Sequence, residues 1–277
     1  NFHVQDNGHT VLFDFNSFED RTSKILQHFL LTKALNIGAR LFVFDRNQSS
    51  RMFFSKMGKK YFPMTQLNKI NRDLVEDKSP RLALNPFALA ESNYNISFLI
   101  SWCGLLISPD SLPDDHGRAT LREAITELYS LPPAERNLPA LVAIIAKHDS
   151  DLAKLFDPWI GRGKLAGLFD FADDTLNMEE DMLGFDMTSA VSNNAFMLPL
   201  FAYLMHRTIA SIDGKPTIIV INEAWDLLEN AFFAPRLESL LEMLRERNVM
   251  VMFTTSQPLN CKDTATLAAL GACSATQ

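Results

Sequence analysis

Four short apolar runs in this 277-residue chain end abruptly in side chains able to hold a ligand. Asp14 follows Val11-Leu12-Phe13, and Asp45 follows Leu41-Phe42-Val43-Phe44. Asn222 and Glu223 follow Ile218-Ile219-Val220-Ile221. Thr254, Thr255 and Ser256 follow Val249-Met250-Val251-Met252-Phe253. Continuous apolar runs, rather than alternating ones, read as strands covered on both faces, which is the parallel-sheet pattern. In an open parallel sheet the ligand site lies beyond the carboxyl ends of the strands. The carboxyl, amide and hydroxyl groups that close these runs are therefore the candidate site.

Other chemistries find little support. The six histidines (His3, His9, His28, His116, His148, His206) have no H-x-x-x-H or HExxH spacing, so no metal site is expected. Ser101 and Ser256 lack the G-x-S-x-G context of a hydrolase nucleophile. Cys103, Cys261 and Cys273 have no ligand spacing and leave an odd one over. That argues against a zinc site or a disulfide framework, and for a reducing cytosol. Gly161-Arg-Gly-Lys164 is a small basic turn that either touches nucleic acid or is simply solvated. The 21 phenylalanines fall mostly within apolar periodicity and read as core rather than as base-stacking platforms.

The segments that must position the site are helical. Ile25, Leu26, Phe29, Leu30, Ala34 and Leu35 recur at three- and four-residue steps, and Gly38 stands where a helix would stop. Leu237, Leu240, Leu241 and Leu244 repeat the pattern, with Glu238, Glu242 and Arg245 on the other side. Strand–helix–strand units of this kind build a doubly wound α/β sheet. The middle differs: helices are expected at about 95–107, 118–129 and 139–147, separated by Pro-, Gly- and Asp-rich turns. No strand-like run falls there. The expected organisation is thus a first portion of the core over 1–86, an all-helical insertion over 87–164 and a second portion over 165–277. The chain stops soon after a strand, which suggests a C-terminally truncated piece of something longer.

Composition narrows the class further. Hydrophobic residues at 47% and charged ones at 21% fit a globular chain. Twenty-six Lys and Arg against 33 Asp and Glu give a net charge of -7, which argues against a nucleic-acid-binding protein. The longest apolar stretches, 98–107 and 196–205, are about half the length needed to cross a bilayer. No secretory signal is read at the start.

A resemblance adds to this reading. The segment Asn1-Phe-His-Val-Gln-Asp-Asn-Gly-His-Thr-Val-Leu-Phe13 resembles the lead-in to the nucleotide-binding loop of the type IV secretion and conjugation ATPases, the TraC/TrbE class. Leu84-Asn-Pro-Phe87, Gly184-Phe-Asp-Met-Thr188, Ile218-Ile-Val-Ile-Asn-Glu-Ala-Trp225 and Phe253-Thr-Thr-Ser-Gln-Pro258 agree with that family in order. Phe44-Asp45 resembles the end of its second strand. The resemblance implies a RecA-like P-loop NTPase core with a mostly parallel sheet and an all-helical insertion, lacking the N-terminal half such proteins usually carry.

The departures from the family matter more. A working phosphate loop reads G-x-x-x-x-G-K-[ST]: the glycines let amides close on phosphate, the lysine reaches the β/γ-phosphates, and the hydroxyl holds Mg²⁺. In register with Gly8-His9-Thr10, the eight positions here read Asp14-Phe15-Asn16-Ser17-Phe18-Glu19-Asp20-Arg21. Both glycine positions are carboxylates, the lysine position is Asp20 and the hydroxyl position is Arg21. An anion in place of a cation about 4 Å from phosphate costs on the order of 8 kcal/mol at an effective dielectric of 20, about the whole free energy of micromolar binding. Acidic side chains can instead satisfy the amides and dipole of a helix starting near Glu19, with Asp20 pairing with Lys24 one turn on. A rearranged loop in which Arg21 or Lys24 meets phosphate is the alternative.

The second motif is half kept. Where the resemblance expects Asp-Glu, the Asp organising Mg²⁺ and the Glu polarising water, this chain has Asn222-Glu223. Glu223 is either a retained base, possible only with nucleotide bound, or an acid near a helix start. Ser256, followed by Gln257, stands where the family tends to carry a γ-phosphate-sensing Gln; polar turn residues are the other reading. Arg245 and Arg247 sit where the resemblance suggests an interface arginine, or form a solvated charged face with Glu242 and Glu246.

The resulting expectation is a motor-family subunit of a type IV secretion (conjugation-like) system that has lost nucleotide hydrolysis and acts structurally or in regulation. No cofactor is expected. Its partners would be other secretion subunits, in a homo- or hetero-oligomer with a related ATPase, without nucleic acid. Its place would be cytoplasmic, peripheral to the bacterial inner membrane. The alternative is an active ATPase, with ATP and Mg²⁺, energising secretion or pilus assembly through an unorthodox loop. A DNA-handling motor is disfavoured by the net charge.

Overall fold

The computed structural model describes residues 10–14, 20–64, 82–108, 113–167, 169–191, 194–223, 233, 236–255 and 274–276. These divide into two compact units. The first comprises Asn1–Pro63, Met178–Thr188 and His206–Gln277. It contains a seven-stranded sheet in the order β3-β4-β2-β5-β6-β1-β7. The strands are β1 (Thr10–Asp14), β2 (Arg40–Asp45), β3 (Lys60–Pro63), β4 (Met182–Asp186), β5 (Thr217–Asn222), β6 (Val249–Thr255) and β7 (Ser274–Thr276). Every neighbouring pair is parallel. The four apolar runs are β1, β2, β5 and β6, and β2 and β5 are buried along their whole length, as strands covered on both faces must be. β3, β4 and β7 lack such a run in the sequence; β4 is short, and glycine interrupts its apolar stretch at Gly184.

Helix α1 (Asp20–Asn36) follows β1, and α2 (Arg51–Lys56) follows β2. Leu31 packs into a core of Leu41, Val43, Phe54, Met182, Ile218, Val220, Met250 and Met252, with Ala34 and Leu35 against it. The apolar face expected of α1 is only partly the buried one. Ile25 is 69%, Leu26 44% and Phe29 56% exposed, while Gln27 is buried. The helix is turned so that Gln27 and Leu31, one turn apart, face inward together. The hydrogen bond that Gln27 makes there, described below, accounts for that rotation.

The second unit comprises Met64–Asn177 and Ser189–Met205. Its helices α3 (Asn93–Ile107), α4 (Asp115–Tyr129) and α5 (Leu138–His148) match the three expected in the middle of the chain, and a short α6 (Ser150–Lys154) follows. Each starts on a side-chain cap: Ser92, Asp114, Asn137 and Asp149 accept hydrogen bonds from the first-turn amides. The core is aromatic. Trp102 and Trp159 are fully buried and surround Phe169, and their indole N–H groups donate to the carbonyls of Pro199 and Leu106 at 2.9 and 2.8 Å. Short α7 (Thr188–Val191) precedes α8 (Asn194–Ala210), whose residues from His206 onward belong to the sheet-bearing unit. No helix among the described residues is long and apolar enough to cross a membrane.

Candidate functional site

Parallel pairing aligns the carboxyl ends of the strands. Pro63, Asp186 and Asp45 are register partners across β3, β4 and β2; Asn222 pairs with Thr254 across β5 and β6, and Thr255 with Asp14 across β6 and β1. The polar residues that close the four apolar runs thus come together at one edge.

Asp45 is the hub. Its side chain is completely buried, yet the carboxylate accepts four hydrogen bonds. Oδ1 receives Ser49 Oγ at 2.5 Å and Asn222 Nδ2 at 2.9 Å; Oδ2 receives the Ser50 amide and the Tyr61 hydroxyl, both at 2.7 Å. Local backbone explains the two serine donors. Asn47 and Gln48 adopt left-handed conformations (φ 63° and 54°), which fold the chain back over the strand end so that Ser49 and Ser50 face Asp45. Tyr61 reaches from β3 because Gly184 lies beneath its ring: a Cβ there would come within 2.6 Å of Tyr61 Cδ2 and 2.8 Å of Phe54 Cζ. That gives the Gly184-Phe-Asp-Met-Thr188 segment a packing reason. Its Asp186 caps Thr188, and the Met187 amide donates to the Asp45 carbonyl. Burial first, then the Asp45 charge and hydrogen bond, push the Tyr61 phenol well above the ordinary tyrosine range.

Asn222 is the second hub. Oδ1 accepts from Gln27 Nε2 at 2.9 Å and from Thr254 Oγ1 at 2.8 Å, while Nδ2 donates to Asp45. Asp45 can only accept, which fixes the orientation of the amide. On α1, one residue beyond Gln27, His28 stacks on Phe53 at 4.6 Å and meets Ser50 Oγ at 3.3 Å. Its pKa is lowered by burial and by Lys24, against an opposing pull from Asp45. Glu223 stands just past the strand in a left-handed conformation (φ 56°), its amide donating to the Thr254 carbonyl at 2.8 Å.

The candidates named from sequence divide accordingly. Asn222 and Glu223 lie at the described strand ends. For Asp14, Asp20 and Arg21 the backbone alone is described, at the end of β1 and the start of α1. Asn16, Ser17, Glu19, Ser256 and Gln257 lie outside the described residues. Arg245 and Arg247 are exposed at the end of α9 (Leu237–Glu246), before the first residue of β6, and so at the opposite end of the sheet from Asn222. Among the described residues, neither forms an ion pair with Glu242 or Glu246. Sequence reasoning missed Gln27, Tyr61, Ser49 and Ser50. Asp45 carried a signal, since it ends an apolar run, but Gln27 and Tyr61 had none.

Magnesium needs free oxygen lone pairs. Here both acceptor positions of Asn222 Oδ1 are taken, and the roughly four acceptor sites of the Asp45 carboxylate face four donors. Asn222 Oδ1 and the Asp45 carboxylate therefore do not fit a divalent ion without breaking their own hydrogen bonds.

No family model matches the chain. Among solved structures it resembles VirB4 of Thermoanaerobacter pseudethanolicus, with a TM-score of 0.66 and 14% identity over 96% of this chain and 74% of that one. The fold is that of the RecA-like P-loop ATPases. In sequence it is 29% identical over 260 residues to the type IV secretion system protein virB4 of Bartonella quintana, covering 93% of this chain and 31% of that protein. It is 25% identical over 263 residues to a probable conjugal transfer protein, TrbE, of Sinorhizobium fredii, covering 92% of this chain and 37% of that one. These similarities indicate the type IV secretion and conjugation ATPase family. It spans about a third of the length of the curated relatives it matches.

Proposed function

We propose that this chain is a motor-fold subunit of a type IV secretion or conjugation apparatus that neither binds nor hydrolyses nucleotide, and that it acts as a structural or regulatory partner. The observation that carries the reading is the filled side-chain oxygen of Asn222: both of its acceptor positions, and one of the two amide N–H donors, are used inside the protein. An Asp-to-Asn change alone would weaken metal binding; an Asn whose oxygen is already filled leaves the metal nothing to displace cheaply. The loop octet Asp14–Arg21 points the same way by residue type, with carboxylates where amides and a lysine would meet phosphate. Its neighbours would be other secretion subunits, in a homo- or hetero-oligomer docked at the cytoplasmic face of the inner membrane. Arg245 and Arg247, exposed and without an ion pair among the described residues, are available to such an interface.

Thermal unfolding with millimolar ATP, with and without Mg²⁺, tests this. A ligand at 100 times its dissociation constant stabilises the folded state by about 2.7 kcal/mol. The expected result is no shift. A magnesium-dependent rise in melting temperature would replace the proposal with an active ATPase using an unorthodox loop.

A further inference from the structure

Gln27 is 2% exposed in the middle of α1, and while its Nε2 donates to Asn222, its Oε1 has no hydrogen-bond partner among the described residues. Burying half an amide unsatisfied is unfavourable, and an apolar side chain would match the Leu31 face of the helix better. The donating half must therefore matter. Position 222 is equally particular. Toward Gln27 and Thr254 it must accept, and toward Asp45 it must donate. A carboxylate cannot do the second and an aliphatic side chain can do neither. An amide does both.

We infer that Gln27, Asn222 and Asp45 form a ligand-independent clamp, a continuous run of hydrogen bonds that holds α1 onto the ends of β5 and β2. This rests on the reading that no nucleotide occupies the site: the clamp supplies from within the protein the link between helix and strand ends that a bound ligand would otherwise make. Gln27 is its positioning residue, because it is the one member carried by α1. His28 reinforces the attachment at the next residue through Ser50 and Phe53.

Amide hydrogen exchange on the nucleotide-free chain, expressed as protection factors, reads the clamp directly. Gln27→Ala should lower protection of α1 about tenfold while α9 stays within about twofold, since opening is local and one buried hydrogen bond is lost. Asn222→Leu removes the oxygen to which Gln27 donates and should do the same. Thr254→Val removes a donor to the same oxygen without touching α1 and should leave α1 protection unchanged. If Gln27→Ala fails to fold, Gln27→Glu carries the test: its ionised form faces Asn222 Oδ1 with an acceptor, so α1 protection should fall as pH rises. Unchanged α1 protection in the Gln27 variants, equal loosening of α9, or a Thr254→Val effect as large as that of Gln27→Ala would each overturn the clamp. A parallel MgATP titration separates the two claims. Binding with an intact Gln27 effect sinks the pseudo-ATPase proposal alone; no binding and no Gln27 effect sinks the clamp alone.

Discussion

The two ends of β2 solve the same problem in different ways. Arg40 opens the strand and Asp45 closes it, and both are buried. Arg40 satisfies its guanidinium with backbone: Nη1 donates to the Ser211 carbonyl at 2.5 Å and Nη2 to that of Met178 at 2.7 Å, with the Phe42 ring 5.1 Å away. Asp45 instead draws three of its four donors from the side chains of Ser49, Asn222 and Tyr61. Carbonyls are supplied by any sequence that adopts the fold, whereas those donors exist only if particular residue types stand at particular positions. The lower end is therefore maintained by the fold, and the upper end by residue identity. That is what separates a scaffold from a site.

The sharpest way to break this contrast is to remove each charge. Asp45→Ala strands four donors, two of them fully buried, and should cost about 4 kcal/mol. Arg40→Met frees two carbonyls but fills the space with apolar volume, and should cost about 2 kcal/mol. Urea denaturation of both variants measures the difference. Equal losses would mean that the upper network is no more than packing.

A second test uses pH, since a histidine accompanies each end. His206, buried on α8 shortly before the Ser211 carbonyl that receives Arg40, is pushed down to about 4 by burial and by Arg207. His28 beside Asp45 is also lowered. Both fold best neutral. Their stabilising effect is complete above the unfolded value near 6.5 and is lost as pH falls toward the folded one. For His206 the loss between pH 6.5 and about 4 should approach about 3 kcal/mol. His206→Leu should flatten that acid limb; His28→Leu should change it less, because half-buried His28 also feels the opposing Asp45. If His28 dominates instead, the upper end is the more tightly closed of the two.

The same contrast explains what could be read from the sequence. The four apolar runs showed the strands and their closing residues, because burial on both faces leaves an unbroken signature. The caps Ser92, Asp114, Asn137 and Asp149 stand close to the predicted starts of the middle helices, since capping is local chemistry. What stayed hidden is non-local. Gln27 lies 195 residues from Asn222 in the chain, and nothing around it sets it apart from any polar residue of a surface helix. The apolar periodicity of α1 pointed to Ile25, Leu26 and Phe29 as buried, because an amide that belongs inside carries no hydropathy signal. Tyr61 was invisible for a related reason: only the pairing of Gly184 beside it in the sheet gives its hydroxyl a path to Asp45.

The smallest expected effect concerns backbone rather than charge. Each end of the sheet carries a residue in the left-handed region: Asn248 (φ 62°) before β6, and Glu223 (φ 56°) after β5. Asn is at ease there, and its side chain also donates to the Gly214 carbonyl at 3.2 Å while its own carbonyl receives the Thr217 amide. Glu adopts this region less readily than Asn, so the upper end holds backbone strain on the order of 1 kcal/mol. Glu223→Gly relieves that strain while keeping the amide that donates to Thr254, at the cost of some unfolded-state entropy. A gain of about 0.5 kcal/mol is expected, against little change or a slight loss for Asn248→Gly. Strain of this kind persists where a side chain must be aimed. If Glu223→Gly stabilises the fold and leaves every measurable property of the protein in its assembly intact, the carboxylate is a remnant. Should it instead abolish a nucleotide-dependent step, Glu223 has kept its task and the two ends of the sheet differ in function as well as in chemistry.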